Sequence, residues 1–182
     1  MSEAVSGRAG LGPVTMSHPA QCWPKRQGSD RMSIRTSIPI GGGTGLTLPV
    51  RYVDAELAWR PPDLSLVHSL AGQASLLACK AFDVARGHFD PRLLSGSLTP
   101  TCLERLTLFA RILEGSDFGR VRKADFGWSF PPIVPMEAEL FAVWPGRFEA
   151  VVSLSHVKEH FRANVSLEAR GGGWICTLLD LG

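Results

Sequence analysis

The chain ends on the stretch Gly172–Gly182, which reads G-G-W-I-C-T-L-L-D-L-G and decides the fold. The alternation after its glycines predicts a closing β-strand. A regular alternation gives two apolar faces: one with Trp174, Cys176 and Leu178, the other with Ile175, Leu179 and Leu181. The terminal strand of a simple meander needs only one apolar face. The second face is therefore predicted to be covered and to act as a contact surface.

The predicted cover is either an apolar arm at residues 46–62 or another subunit, which includes the option of a homodimer. The arm is bounded by prolines and carries isolated apolar side chains. It either packs on the chain's own domain or folds on a partner as a short recognition segment. The predicted contact surface comprises Ile175, Leu179, Leu181, Tyr52, Leu57 and Trp59.

Three segments before the ending alternate with a period of two: residues 136–144, 147–155 and 159–169. Pro145 and Gly146 form the first turn, and the glycines at 171–173 form the last. Short turns between successive strands predict antiparallel neighbours and hence a meander. Residues 119–130 are either a further strand or a loop.

Two helices are predicted to precede these strands. The first has Asp63 or Ser65 as its N-cap, an alanine-rich apolar face, and a stop at Gly87. The second begins at the capping pair Thr99 and Pro100.

These elements predict one α+β domain, residues 63–182, with two helices on one face of a curved antiparallel sheet of four or five strands. Residues 1–45 are rich in Gly, Pro and Ser and are predicted to be disordered. The glycines at 41–43 lack the strand, helix and Gly-Lys-Ser or Gly-Lys-Thr ending of a phosphate-binding loop, so they are interpreted as a linker.

Charge and cysteine content narrow the function. The net charge is +2, and residues 63–182 hold twelve basic against thirteen acidic side chains. A nearly neutral domain argues against nucleic-acid binding, which needs a basic face. The four cysteines show no C-x-x-C spacing, which favours a reducing compartment. No apolar run reaches the length of a membrane span, so we expect a cytoplasmic protein.

One apparent metal-binding motif lies between segments predicted to be strands, where its residues are not expected to bind a metal. His156, Glu159 and His160 spell H-x-x-E-H, which binds zinc only on a helix. The flanking residues alternate as strands do, and a hairpin turn is predicted near Val157 and Lys158. No other catalytic set is found, so we expect no cofactor, no metal and no enzymatic activity.

The alternative prediction is a small-molecule pocket or cryptic enzyme on the same fold. Its predicted lining residues are Trp128, Trp144, Trp174 and His156. A cavity shared by these residues favours the alternative, and a filled core argues against it.

The ending resembles that of a family of small actinobacterial proteins of unknown function, often described as rich in alanine, arginine and proline. The family's ending, G-x-W-x-C-T-x-L-x-x-G, is matched here by residues 172–182. Further matches are Gly87, the leucines at 93 and 94, and the pair Thr99 and Pro100. The resemblance implies a cystatin-like or nuclear-transport-factor-like fold and a gene near the preprotein translocase ATPase. It implies no catalytic residues. The leading hypothesis is a non-enzymatic protein-interaction module linked to protein export.

Overall fold

The computed structural model describes residues 33–41, 45–54, 62–116, 118–119 and 130–182. Their strands and α-helices follow the order β1 (Ser33–Pro39), β2 (Thr47–Asp54), α1 (Leu64–Ala85), α2 (Pro100–Ile112), β3 (Val134–Trp144), β4 (Arg147–His156), β5 (Glu159–Arg170) and β6 (Gly173–Leu181). A 3₁₀ turn, Pro91–Leu94, lies between the helices.

The strands form one six-stranded sheet in the order β1-β2-β3-β4-β5-β6. Helix α1 packs across one face, and α2 lies against α1 and β6. All neighbouring strands are antiparallel except β2 and β3, which are parallel because the chain crosses over through the helices between them. The α+β class is confirmed. The predicted sheet of four or five antiparallel strands is wrong, since the sheet has six strands and is mixed.

Strands β1 and β2 lie where the sequence predicted a disordered tail and an arm. Neither strand alone buries enough apolar surface to offset the chain entropy that is lost on folding. The two strands do so together, because they pair with each other and α1 covers them. Ile38 and Leu48 are buried, and Thr36 Oγ1 lies 2.9 Å from His68 Nε2 on α1. Among the described residues, the sheet therefore begins at Ser33, ahead of the predicted domain boundary at residue 63. The predicted strand or loop at 119–130 lies outside the described residues except at its two ends.

Helix α1 begins where the sequence predicted. The Asp63 side chain accepts hydrogen bonds from the Ser65 hydroxyl group and from the N–H groups of Ser65 and Leu66, and these bonds lower the pKa of its carboxyl group. Small residues on the buried face bring the helix close to the sheet; they are Ala71, Ala74, Ala78 and Ala81. Helix α2 begins at the predicted cap, where Thr99 Oγ1 accepts from the Cys102 N–H.

Strand β6 contains a bulge at Thr177. Leu178 lies opposite Ser166 and Cys176 lies opposite Leu167, so Thr177 has no partner on β5. A bulge shifts the alternation of side chains by one residue. The residues that face the helices are therefore Trp174, Cys176, Leu179 and Leu181, and those that face away include Ile175 and Leu178. The predicted shared face of Ile175, Leu179 and Leu181 is wrong for this reason.

Candidate functional site

The described members of the predicted contact surface do not lie together. Tyr52 lies on β2, four strands away from β6 in the sheet, and faces the core. Leu57 and Trp59 lie outside the described residues. Leu179 is buried against the helices, whereas Ile175 lies on the opposite face. Of the segment predicted to cover β6, residues 47–54 form β2 near the other edge of the sheet, and residues 55–61 lie outside the described residues.

The predicted pocket residues are also dispersed. Trp144 is half exposed, with the Arg147 guanidinium 4.7 Å from its ring centroid. Trp174 packs edge-on against Phe148. His156 is buried at the far end of β4, nine residues from Arg147, which is about 30 Å of extended strand. Trp128 lies outside the described residues.

The H-x-x-E-H motif forms the predicted hairpin. His156 ends β4 and pairs with Glu159, the first residue of β5, across the turn at Val157 and Lys158. His156 points toward the helices and is buried, while His160 is exposed. No group of metal-ligating side chains occurs among the residues that the structure describes.

Buried His156 belongs to a polar cluster around Arg86. Arg86 Nη1 lies 2.6 Å from the Pro131 carbonyl oxygen and 3.3 Å from His156 Nε2, and its Nε donates to Asp83 at 2.8 Å. Because a guanidinium only donates, Nε2 of His156 accepts and the imidazole is neutral. Burial, followed by the charge of Arg86, lowers the pKa of His156. The cluster joins the end of α1 to β4 and to the residues before β3, which is a structural role.

Two buried thiols meet where α2 covers the edge of β6. The Cys176 Sγ–H donates to the Leu178 carbonyl oxygen at 3.1 Å. The interaction between the two thiols lowers the pKa of Cys102 and raises that of Cys176. The backbone of Cys176 is also paired: its N–H donates to the Ser97 carbonyl and its C=O accepts from the Thr99 N–H, both at 2.9 Å. Arg105 on α2 pairs with Asp180 at 3.0 Å. This edge of the sheet is therefore bonded to the segment before α2 at Cys176 and contacted by α2 at Asp180.

The opposite edge of the sheet is formed by β1. Within the described part of the chain, β1 is the edge strand and pairs with β2 alone. The Ile40 N–H donates to the Leu46 carbonyl at 2.9 Å. Since bonded and non-bonded pairs alternate along antiparallel strands, Ser33, Arg35 and Ser37 direct their N–H and C=O groups away from β2. We call these outward groups the β1 edge.

A groove of about 380 Å³ opens where the ends of β1, β2 and β3 meet α1, and we call it the α1 groove. Ile40 and Ile133 form its walls, and Leu46 and Leu76, each more than half exposed, lie at its rim. No lining residue among those described is charged. Its volume lies at the lower end of the range, roughly 300–1,000 Å³, found for small-molecule sites.

Ser75 and Cys79, which lie one helical turn apart on α1, both line the α1 groove. Ser75 is 4% exposed, and its Oγ has no hydrogen-bond partner among the described residues. Burial, followed by the charge of Asp83, raises the pKa of the Cys79 thiol to about 12. Cys79 is therefore a neutral thiol at physiological pH and a poor nucleophile.

Sequence reasoning missed both the β1 edge and the unpaired Ser75 hydroxyl group in the α1 groove. The alternation of Ile34, Thr36 and Ile38 is a strand signal that could have indicated β1. Nothing in the sequence distinguishes Ser75 from the other small residues on the buried face of α1, because its lack of a partner depends on the strands packed around it.

Comparison of the chain with family models, with curated proteins and with solved structures found no match. The resemblance of the ending to the actinobacterial family therefore stays a prediction. Neither described helix combines the length and the apolar character that crossing a membrane requires.

Proposed function

We propose that this chain is a non-enzymatic protein-interaction module that binds an extended segment of another protein along the β1 edge. The observation that carries the proposal is the contrast between the two edges of the sheet. On the β6 edge the backbone of Cys176 is bonded to residues 97–99 and Asp180 is paired with Arg105 of α2, whereas the outward groups of β1 form no backbone hydrogen bond with a described residue. Unpaired strand edges bind extended segments by adding a strand to the sheet.

Charge favours an acidic partner segment. Arg51 on the neighbouring strand is already paired with Glu139 at 2.8 Å. Arg35 lies on the edge strand and is exposed. An added strand with an acidic residue opposite Arg35 would gain a cross-strand ion pair. Its alternate side chains would be apolar and would extend the row that contains Ile34 and Ile38.

The resemblance of the ending supplies the first candidate partner, the preprotein translocase ATPase, and with it a role in protein export in the cytoplasm. A cystatin-like or nuclear-transport-factor-like fold is part of the same proposal. A second copy of the chain is the other candidate. Two antiparallel β1 edges centred on Arg35 would bring like charges together, which disfavours that register.

The test removes a single outward N–H group. Ser37→Pro deletes one donor of the β1 edge, while the bonded pairs between β1 and β2 stay intact because Ser37 does not donate to β2. Ser37→Ala is the matched control. Binding to the purified translocase ATPase is measured by titration calorimetry, and self-association by sedimentation.

We expect the wild type and Ser37→Ala to bind one of these two partners, and Ser37→Pro to lose that binding while its unfolding curve stays close to that of the wild type. Equal binding by Ser37→Pro and the wild type would overturn the proposal, as would the absence of binding in both experiments.

A second candidate function, small-molecule binding, is favoured by the α1 groove and the Ser75 hydroxyl group. It is independent of the β1 edge, because none of Ser33, Arg35 and Ser37 lines the groove.

A further inference from the structure

The Ser75 hydroxyl group lacks the hydrogen bond that a helical serine or threonine can form with its own helix. Such side chains can bond the carbonyl group four residues earlier. Thr107 does so on α2, where its Oγ1 lies 2.8 Å from the Leu103 carbonyl oxygen. Ser75 Oγ does not, although it is fully buried. A buried hydroxyl group without a partner is costly, so its place in the lining of a groove calls for a partner from outside the chain.

Gly72, one turn before Ser75, also lines the groove. The packing around it does not require a residue without a side chain. A Cβ atom at this position would meet only Ile38 Cδ1, at 3.8 Å, which is ordinary contact. Glycine inside a helix is destabilising relative to alanine. Its effect here is to leave the groove wider beside Ser75.

The geometry points to the α1 groove as the binding site of a neutral, largely apolar small molecule whose single hydrogen-bonding group meets Ser75 Oγ. This inference names the ligand class of the second candidate function and rests on that function. The described lining offers no charge to compensate an ionic ligand, and burying an uncompensated charge is strongly unfavourable. A hydroxyl group both donates and accepts, so a carbonyl, hydroxyl or amine group on the ligand would satisfy it.

Two fluorescent probes with the same ring system test the ligand class on the full chain. N-phenyl-1-naphthylamine is neutral with one N–H group, and 1-anilinonaphthalene-8-sulfonate adds a sulfonate. We expect the neutral probe to bind with one-to-one stoichiometry and at least about tenfold more tightly than the sulfonate, because the groove cannot compensate the sulfonate charge.

Two substitutions at residues that line the groove and one control, all on α1, locate the site where the probe binds. Ser75→Ala removes only the unpaired hydroxyl group, so it should leave stability equal or higher while it weakens binding of the neutral probe about fivefold. Ser69→Ala, an exposed serine on the same helix, is the matched control and should leave affinity unchanged. Gly72→Ala should stabilise the helix and weaken binding by narrowing the groove.

Each contrary result has its own meaning. If neither probe binds, small-molecule binding in the groove is itself overturned. If both bind equally well, the groove binds ligands but the neutral class is wrong. If the neutral probe binds Ser75→Ala as tightly as the wild type, the role assigned to Ser75 is wrong.

Discussion

Cys176 and Leu179 lie three residues apart on β6 yet face the same side of the sheet, because the bulge at Thr177 shifts the alternation between them. Both are buried against the helices, whereas Leu178 lies on the opposite face and is partly exposed. Regular alternation would have placed Leu178 inside with Cys176 and Leu179 outside.

This relationship predicts unequal costs for two neighbouring substitutions. Leu179→Ala should lower the free energy of unfolding by about 2–4 kcal/mol, because it leaves a cavity in the core. Leu178→Ala should lower it by less than about 1 kcal/mol, since this side chain remains partly in water. Urea unfolding of both variants measures the difference. Equal costs, or the reverse order, would contradict the bulge.

Substitution of Arg86 should lower the free energy of unfolding more than substitution of most other polar residues. Arg86→Ala strands the Asp83 carboxylate and the Pro131 carbonyl group, and we expect a loss of about 3 kcal/mol or more. Arg86→Lys keeps the charge but cannot reproduce the guanidinium fork, so it should also be clearly destabilised. Arg92→Ala, which breaks an exposed ion pair, is the control and should cost less than about 1 kcal/mol. A fully stable Arg86→Lys variant would refute the geometric role of the guanidinium.

His156 predicts a loss of stability on mild acidification. Its pKa in the folded chain is lowered from the ordinary value of 6.5. Between that lowered pKa and 6.5, the unfolded chain binds a proton that the folded chain does not, so stability falls as the pH falls through this window. Above pH 6.5 His156 is neutral in both the folded and the unfolded chain, so its contribution to the free energy of unfolding no longer changes with pH. His156→Gln keeps an acceptor for Arg86 but does not titrate.

The measurement is the free energy of unfolding of both proteins from pH 8 to pH 5, where the shared groups cancel in the difference. The wild type should lose more stability than His156→Gln below about pH 6.5. Parallel curves would show that His156 titrates in the folded chain as it does in the unfolded chain.

Val157 sits at φ 56° in the two-residue hairpin turn, a conformation that β-branched residues rarely adopt. Asparagine tolerates this region, so Val157→Asn should raise stability by about 1 kcal/mol. Val157→Ala retains the Cβ atom that causes the strain and should gain less. Thermal unfolding of the two variants separates relief of strain from loss of an exposed apolar side chain. A drop in melting temperature for Val157→Asn would count against the strained turn.

Much of the fold could be predicted because it depends on short-range interactions. The caps at Asp63 and Thr99 act through side-chain bonds to backbone groups two or three residues away. The hairpin at Val157 and Lys158 follows from two alternating segments joined by a short connection. The α+β class follows from helical periodicity followed by strand periodicity.

What the sequence by itself determined is therefore the helices, the last four strands and the turns that join these strands, including the hairpin at H-x-x-E-H. Only the tertiary structure decided the parallel pairing of β2 with β3, the bulge at Thr177 and the groove beside Ser75. Each of these depends on partners far apart in the chain: Tyr52 opposite Leu140, Cys176 opposite Leu167, and α1 against the ends of three strands. Local periodicity carries no information about such partners, since the energy that selects them arises only when both segments are packed together.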